Sequence, residues 1–305
     1  MRISVVIVTR NRIHKLKRCI FSLLGSTVKP DEILIIDNNS TDTTQVEATE
    51  ISKKYKRYNI KYFKEKRVGI SYARNIGLVK AKSDIIAFTD DDCVVDKDWI
   101  KNIILAHSKY PDAIAIGGNT LNYDNGLIGY PGHIYRQFLT VNDFITKANL
   151  RDYREELDKN HYMVSLSTQN ISYKRKYVRH INFSEHAAPC EAVDFSWKLL
   201  HIRKDAILYV PNIKVFHEYR PNTADFLAQH YQYGHAARYV RNISVRKGYF
   251  PYKHLTPYMN KIIFYIGFAL AETRQSKYNL FKKLYLFALL LSREAAFIIG
   301  YVIPL

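Results

Sequence analysis

Asp84-Ile85-Ile86-Ala87-Phe88-Thr89-Asp90-Asp91-Asp92-Cys93 is an apolar run too short for a helix that opens onto three consecutive carboxylates. Such a run reads as a buried strand whose C-terminal end carries charge. Three adjacent acids repel one another, and a divalent cation among them removes the repulsion; oxygen donors favour Mg²⁺ or Mn²⁺ over zinc. Strand side chains alternate, so Asp90 and Asp92 are expected on one side and Asp91 on the other, which makes Asp-x-Asp the chelating unit. The alternative is that one aspartate caps the next helix and the others are solvated. Ligands gather at such strand ends in open α/β sheets, so the stretch bears on fold and function together.

Working outward, the segments before it alternate strands with amphipathic helices. Ile3 to Val8 is expected as a strand, and Ile13, Leu16, Ile20, Leu23 and Leu24 then recur at helical spacing, with Gly25 as a stop. Ile33 to Ile36 is a second strand ending at Asp37. The turn and cap sequence Asn38-Asn39-Ser40-Thr41-Asp42 leads into a helix over 43–55. A third strand over 60–63 and a helix over 69–80 follow. Near-continuous Val and Ile strands separated by helices imply a parallel sheet covered on both faces, with Thr9, Asp37 and Asp90 at the ligand-binding strand ends.

The whole chain has 305 residues, 47% of them hydrophobic, which suits one large domain with an appendage. Its 46 basic and 28 acidic residues leave a net charge of +18, favouring anionic partners: phosphorylated small molecules, an acidic membrane surface or nucleic acid. Cys19, Cys93 and Cys190 are odd in number and widely spaced, which argues for a reducing compartment. The opening apolar run meets Asn11 and Arg12 too soon for a signal peptide. Val8-Thr9-Arg10-Asn11-Arg12 has neither dinucleotide-binding nor P-loop glycine spacing, so a nucleotide site must be built from strand-end side chains and a metal.

Val5-Val6-Ile7-Val8-Thr9-Arg10-Asn11-Arg12, Ile35-Ile36-Asp37-Asn38-Asn39-Ser40-Thr41-Asp42, Gly69-Ile70-Ser71-Tyr72-Ala73-Arg74-Asn75-Ile76-Gly77 and Ile86-Ala87-Phe88-Thr89-Asp90-Asp91-Asp92 occur in that order. Together they resemble the family 2 glycosyltransferases with the GT-A fold. The resemblance implies that Thr9, Asp37 and Arg74 hold the base of a nucleoside-diphosphate sugar, with Asn11 and Asp91 in the same donor-binding set. It implies further that Asp90 faces the ribose and that Asp92 reaches a Mn²⁺ or Mg²⁺ on the diphosphate. Chemistry agrees, since a strand-end carboxylate can accept an imide proton and an arginine offers phosphate a planar donor fork. Read without the resemblance, Arg74 is a surface partner for Asp84 or Glu65.

The remaining motifs extend the comparison. Ile114 to Thr120 is expected as a strand ending at Gly117-Gly118, either a small-residue turn beside the sugar or an ordinary glycine turn. Residues 121–160 lack a clear period and suit an acceptor-binding insertion or lid. By resemblance, Asn170 lies near the donor sugar, and Cys190-Glu191-Ala192-Val193-Asp194 is an acidic helix start. The family usually has Asp, often the general base, where this chain has Ala192. That leaves Glu191 as first candidate and Asp194 as second, although helix dipoles favour acids in a first turn for stability alone. Residues 206–211 and 215–218 read as two strands around a proline turn, after which His217 matches the family histidine that completes the metal site.

A helix over 223–238 and a basic, turn-rich boundary over 242–254 precede two apolar stretches, 262–270 and 284–303. The second is interrupted by Arg293 and Glu294, so it is expected in a membrane interface or in a packed hairpin. The expectation is a mainly parallel α/β GT-A domain over 1–240, with a donor half to 120, an acceptor half beyond it, and a helical appendage over 241–305. The function implied is inverting, metal-dependent transfer from a UDP-, dTDP- or GDP-sugar to a glycan or lipid-linked hydroxyl in surface polysaccharide or glycolipid assembly. The place is the cytoplasm, at the inner face of an anionic membrane, with no nucleic-acid partner. Alternatives are a sugar nucleotidyltransferase, or a non-catalytic basic protein binding nucleic acid or a membrane surface.

Overall fold

Alternate residues of the first strands serve two different layers of helix. The computed structural model describes residues 1–123, 160–163, 165–219, 222–249 and 279–303. Strands β1 (Ile3–Thr9), β2 (Glu32–Asp37), β3 (Ile60–Lys64) and β4 (Ile85–Asp90) run parallel. On one face, Ile3, Val5, Ile7, Ile33, Ile35, Ile85 and Ala87 form a core with helices α1 (Ile13–Leu24), α2 (Thr44–Lys54) and α4 (Trp99–Lys109). The other face carries α3 (Ile70–Lys80), whose Gly77 lies so near the sheet that a Cβ there would sit 2.5 Å from Val6 Cγ1. Phe88 meets Tyr173 and Phe183 edge-on, and Phe183 stacks on Phe195 with ring centroids 4.1 Å apart. Burial on both faces is why β1, β2 and β4 read as unbroken apolar runs, whereas β3 at the sheet edge is only partly buried.

The sheet described has the order β3-β2-β1-β4, then β8 (Ile171–Lys174), β6 (Ala115–Asn122), β9 (Ile207–His217) and β5 (Cys93–Val95), with β7 (His161–Tyr162) against β9. Beyond β4 it is mixed: β8 is antiparallel to β4 and to β6, whereas β6 is parallel to β9. β5 and α4 were not anticipated between Asp92 and Ile114. The signal for α4 was present, in buried Trp99, Ile100, Ile103, Ala106 and His107 at helical spacing.

Two expectations change here. The proline does not divide two strands; β9 runs through Pro211, and its pairing with β6 skips residues 211–213 between Gly118 and Asn119. Proline has no N–H to lose at such a bulge. β6 likewise does not end at the glycine pair but continues to Asn122. A Cβ on Gly118 would overlap the Ile213 carbonyl, and one on Gly117 would sit 2.6 Å from the Asn170 carbonyl. The two glycines admit neighbouring backbone to the strand.

The chain divides into two compact units, one comprising 1–123 with 160–218 and the other 124–159 with 219–305. In the first, α5 (Arg175–Val178) and α6 (Glu191–Ile202) follow β8. In the second, α7 (Thr223–Arg246) runs past the expected end at 238 into the stretch anticipated as a boundary. It packs against α8 (Leu280–Val302), where Gly234 and Gly300 let each helix approach the other's backbone at Phe297 and Tyr231. Most of the expected lid, 124–159, and the apolar stretch 262–270 lie outside the described residues.

Candidate active site

Parallel pairing sets Thr9 beside Asp37 and Val8 beside Asp90, so the C-terminal ends of β1, β2 and β4 form one shelf. Asp37 is fully buried; its carboxylate accepts the Ser40 N–H at 2.8 Å and the Tyr62 hydroxyl. Burial first, and then the Asp37 charge, raise the Tyr62 phenol above its ordinary range. Asn11, at φ 53°, accepts the Thr41 N–H on Oδ1 at 2.7 Å and donates its own N–H to Ser40 Oγ at 2.9 Å. Asp37 and Asn11 thus clamp the β1 and β2 exit loops together.

The acidic triplet departs from strand alternation because β4 stops at Asp90 and the chain turns before β5. Thr9 Oγ1 donates to Asp91 Oδ2 at 2.8 Å. The Arg12 guanidinium donates through Nη1 to Asp91 Oδ1 at 3.4 Å and to Asp92 Oδ2 at 3.3 Å. The other Asp92 oxygen, Oδ1, lies 3.3 Å from His217 Nε2, because His217 pairs with Cys93 across β9 and β5. Asp91 and Asp92 therefore converge on one cation while Asp90 turns elsewhere. Burial, reinforced by the Asp92 charge, pushes the Asp91 carboxyl above the usual carboxylate range. Burial also opposes ionisation of Asp92, but His217, Arg12 and Lys15 outweigh it and hold that carboxyl below the usual range.

The Asp92–His217 pair fits a divalent cation. Neighbouring donors around an ion bonded at about 2.1 Å lie about 3 Å apart, close to the separation observed. Among the described residues no three His, Cys, Asp or Glu side chains gather for a metal, so two protein donors would need the rest from a ligand or water. An imidazole in the set suits Mn²⁺ better than Mg²⁺.

Arg74 is only 3% exposed and pairs with neither Asp84 nor Glu65; its guanidinium meets Glu191 and, at 3.3 Å, Asp90. The arginine carried over to the donor is thus the internal counter-ion of two site carboxylates. Glu191 starts α6, and its Oε2 is buried with no hydrogen-bond partner, while Oε1 takes Arg74. Asp194, one turn on, accepts Ser184 Oγ and pairs with Lys198 Nζ, both at 2.6 Å. Ala192 is half-buried between them. Of the two acids, Glu191 is the one with an unused oxygen.

Asn170 is 2% exposed, and its amide is spent inside the protein. It donates to the carbonyls of Asn119 at 2.9 Å and Ile213 at 3.0 Å and accepts the Trp99 indole N–H at 2.8 Å. It pins the β9 bulge under β6. Sequence reasoning also missed Arg12, and missed Glu218, which follows His217 and binds Arg18 and Lys15. Arg12 at the cap of α1, followed at intervals of three by Lys15 and Arg18, was the available signal.

A family model described as glycosyl transferase family 2 matches residues 4–181, more than half the chain. Over 147 residues the chain is 38% identical to an uncharacterized glycosyltransferase of Rickettsia conorii, covering 45% of this chain and 24% of that protein. It is 29% identical over 126 residues to the glucosyl-dolichyl phosphate glucuronosyltransferase of Haloferax volcanii, covering 40% of this chain and 39% of the relative. The chain thus spans well under half the length of these curated relatives. Among solved structures it resembles a Pyrobaculum calidifontis mannosyltransferase in complex with GDP-Man and Mn²⁺, with TM-score 0.60, 13% identity, and coverage of 96% of this chain and 86% of the other. It also resembles S. aureus TarS in complex with UDP-GlcNAc, with TM-score 0.53, 17% identity, and coverage of 99% and 89%. The strand-end shelf, the four ordered motifs within it and the extent of the matching model lead to one assignment: the chain belongs to glycosyl transferase family 2, with the GT-A fold.

Proposed function

We propose that the chain transfers a sugar, with inversion, from a nucleoside-diphosphate donor (UDP, dTDP or GDP) to a hydroxyl acceptor that is a glycan or lipid-linked saccharide. The observation that carries this reading is that distant parts of the sequence bring two linked groups to the strand ends, Thr9, Asp91, Arg12, Asp92 and His217 in one and Asp90, Arg74 and Glu191 in the other, adjoining at the consecutive residues Asp90 and Asp91. Membership of a glycosyltransferase family selects transfer over the nucleotidyltransferase and non-catalytic readings.

Asp92 and His217 would hold Mn²⁺ or Mg²⁺, which neutralises charge on the departing diphosphate. Thr9 and Asp91 close the floor beneath the donor, and Asp90 is the partly exposed carboxylate available to a ribose hydroxyl. Glu191 Oε2 takes the acceptor's proton as its oxygen attacks the anomeric carbon. The bond from that carbon to the diphosphate breaks, and its electron pair leaves with the diphosphate. Arg74 pairs with Glu191 and orients it, and Asp194 braces the helix through Ser184 and Lys198.

Surface polysaccharide or glycolipid assembly and attachment to the inner face of an anionic membrane belong to the same reading. Support comes from α8: among the described residues it is the helix long and apolar enough to cross a membrane. It exposes Phe281, Leu284, Tyr285, Ile299 and Val302, with Lys282 and Lys283 nearby, in a chain of net charge +18. Sedimentation with anionic but not neutral vesicles is the expected outcome. The catalytic reading is tested by Glu191→Gln, which should abolish sugar transfer while Mn²⁺-dependent donor binding persists. Near-normal turnover would remove Glu191 as the base.

A further inference from the structure

Arg12 occupies a position that the transfer reaction itself does not explain. It stands at the start of α1, and one nitrogen of its guanidinium bridges Asp91 and Asp92 at 3.4 and 3.3 Å. Asp92 then has one oxygen toward Arg12 and the other toward His217. The Arg12 side chain is 39% exposed, against 4% for Asp91 and 14% for Asp92. The carboxylates are fixed and shielded, whereas the guanidinium reaches them from the solvent side on a long, flexible stem. Both longer contacts are those of a counter-ion sharing two acids, looser than a bidentate fork. A divalent cation on Asp92 and His217 would sit next to this positive charge, and the two repel.

We propose that Arg12 is an exchangeable counter-ion: it neutralises Asp91 and Asp92 in the empty site, opposes entry of the divalent cation alone, and yields when a diphosphate arrives to accept the guanidinium. The inference rests on the donor-and-cation reading above and goes beyond it by assigning a residue that makes cation and donor bind together. Lys15 and Arg18, on successive turns, are held by Glu218, so they are less free to exchange. A guanidinium suits the exchange because its planar donors match carboxylate and phosphate oxygens alike. The consequence is order: the site resists a free metal ion and fills when metal and nucleotide arrive together, so little ion is stranded without donor.

The test measures Mn²⁺ affinity of the whole chain by titration, with and without UDP, for wild type, Arg12→Gln, Arg12→Lys and the control Lys17→Gln. Lys17 is on the same helix but pairs with Glu47. In the wild type UDP should tighten Mn²⁺ binding on the order of tenfold or more, the usual size of coupling between two ligands. Arg12→Gln should bind Mn²⁺ alone about tenfold more tightly, and the tightening brought by UDP should shrink by a similar factor. It should also melt lower without metal and gain more from Mn²⁺ than the wild type does. Arg12→Lys, which keeps the charge and packing, should fall between the two and decides the matter should the glutamine variant fail to fold. Lys17→Gln should match the wild type. Wild-type coupling between Mn²⁺ and UDP with unchanged Mn²⁺ affinity in both Arg12 variants would overturn this inference alone. Absence of Mn²⁺ binding in the wild type, with or without UDP, would overturn the metal reading and this inference with it.

Discussion

Removing the Arg74 guanidinium should unfold the protein far more readily than removing an ordinary surface charge. Arg74 is 3% exposed and separates Glu191, whose side chain is 6% exposed, from Asp90. In Arg74→Met the aliphatic volume stays, but a buried carboxylate loses its counter-ion and faces a second acid. Breaking a buried pair from one side costs about 3–5 kcal/mol, whereas an exposed pair contributes about 0–1 kcal/mol. At about 2–4 °C per kcal/mol for a domain of this size, the melting temperature should fall by roughly 6–20 °C. Arg74→Met/Glu191→Met removes both charges and should recover most of the loss, because an apolar pair of similar volume is often as stable as the ion pair. Thermal and urea denaturation of the four proteins give the coupling directly. A single-mutant cost under about 1 kcal/mol, or a double mutant no better than Arg74→Met, would refute the assignment of Arg74 as an internal counter-ion and return it to the donor.

Other residues make separate predictions. Asn170→Ala deletes three buried hydrogen bonds and should cost about 3 kcal/mol or more. UDP affinity of the folded fraction should stay unchanged, and calorimetry showing normal stability with lost binding would instead make Asn170 a ligand. Gly118→Ala should destabilise by about 1–3 kcal/mol, because the bulge at Ile213 must move; a neutral effect in urea titration would contradict the bulge geometry. Burial, helped by the Lys174 charge, lowers His107 from 6.5 to about 3, and Ser172 Oγ lies 2.9 Å from its Nε2. The folded chain therefore excludes a proton that the unfolded chain binds. This contribution is complete above pH 6.5 and is lost as pH falls toward 3, at up to about 1.4 kcal/mol per pH unit. Stability of His107→Gln measured over that interval should show a shallower slope, and an unchanged slope would contradict it.

The parallel half of the sheet was legible because β1, β2 and β4 are buried on both faces and so advertise themselves as unbroken apolar runs. The region beyond β4 was less legible for physical reasons. β5 has only three residues, and the register change that lets β9 pass through Pro211 depends on Gly118, far away in sequence. The meeting of Asp92 with His217 was anticipated from the resemblance, and the structure brings the two together. The partner of Arg74 was not anticipated, since nothing local announces that residue 74 and residue 191 share a buried space. Alternation misled at Asp90-Asp91-Asp92 because it applies only while the chain remains a strand. Arg12 was written in the sequence as the first of three basic residues at helical spacing, but its acidic partners lie 79 and 80 residues away.

Crystals soaked with MnCl₂ and UDP, examined by anomalous scattering at the manganese edge, address the central claim most directly. The account predicts one strong peak at about 2.1–2.3 Å from Asp92 and from His217 Nε2, with the diphosphate completing the ion's shell. Ordered UDP with no manganese at that pair, or manganese bound at a different set of side chains, would contradict it.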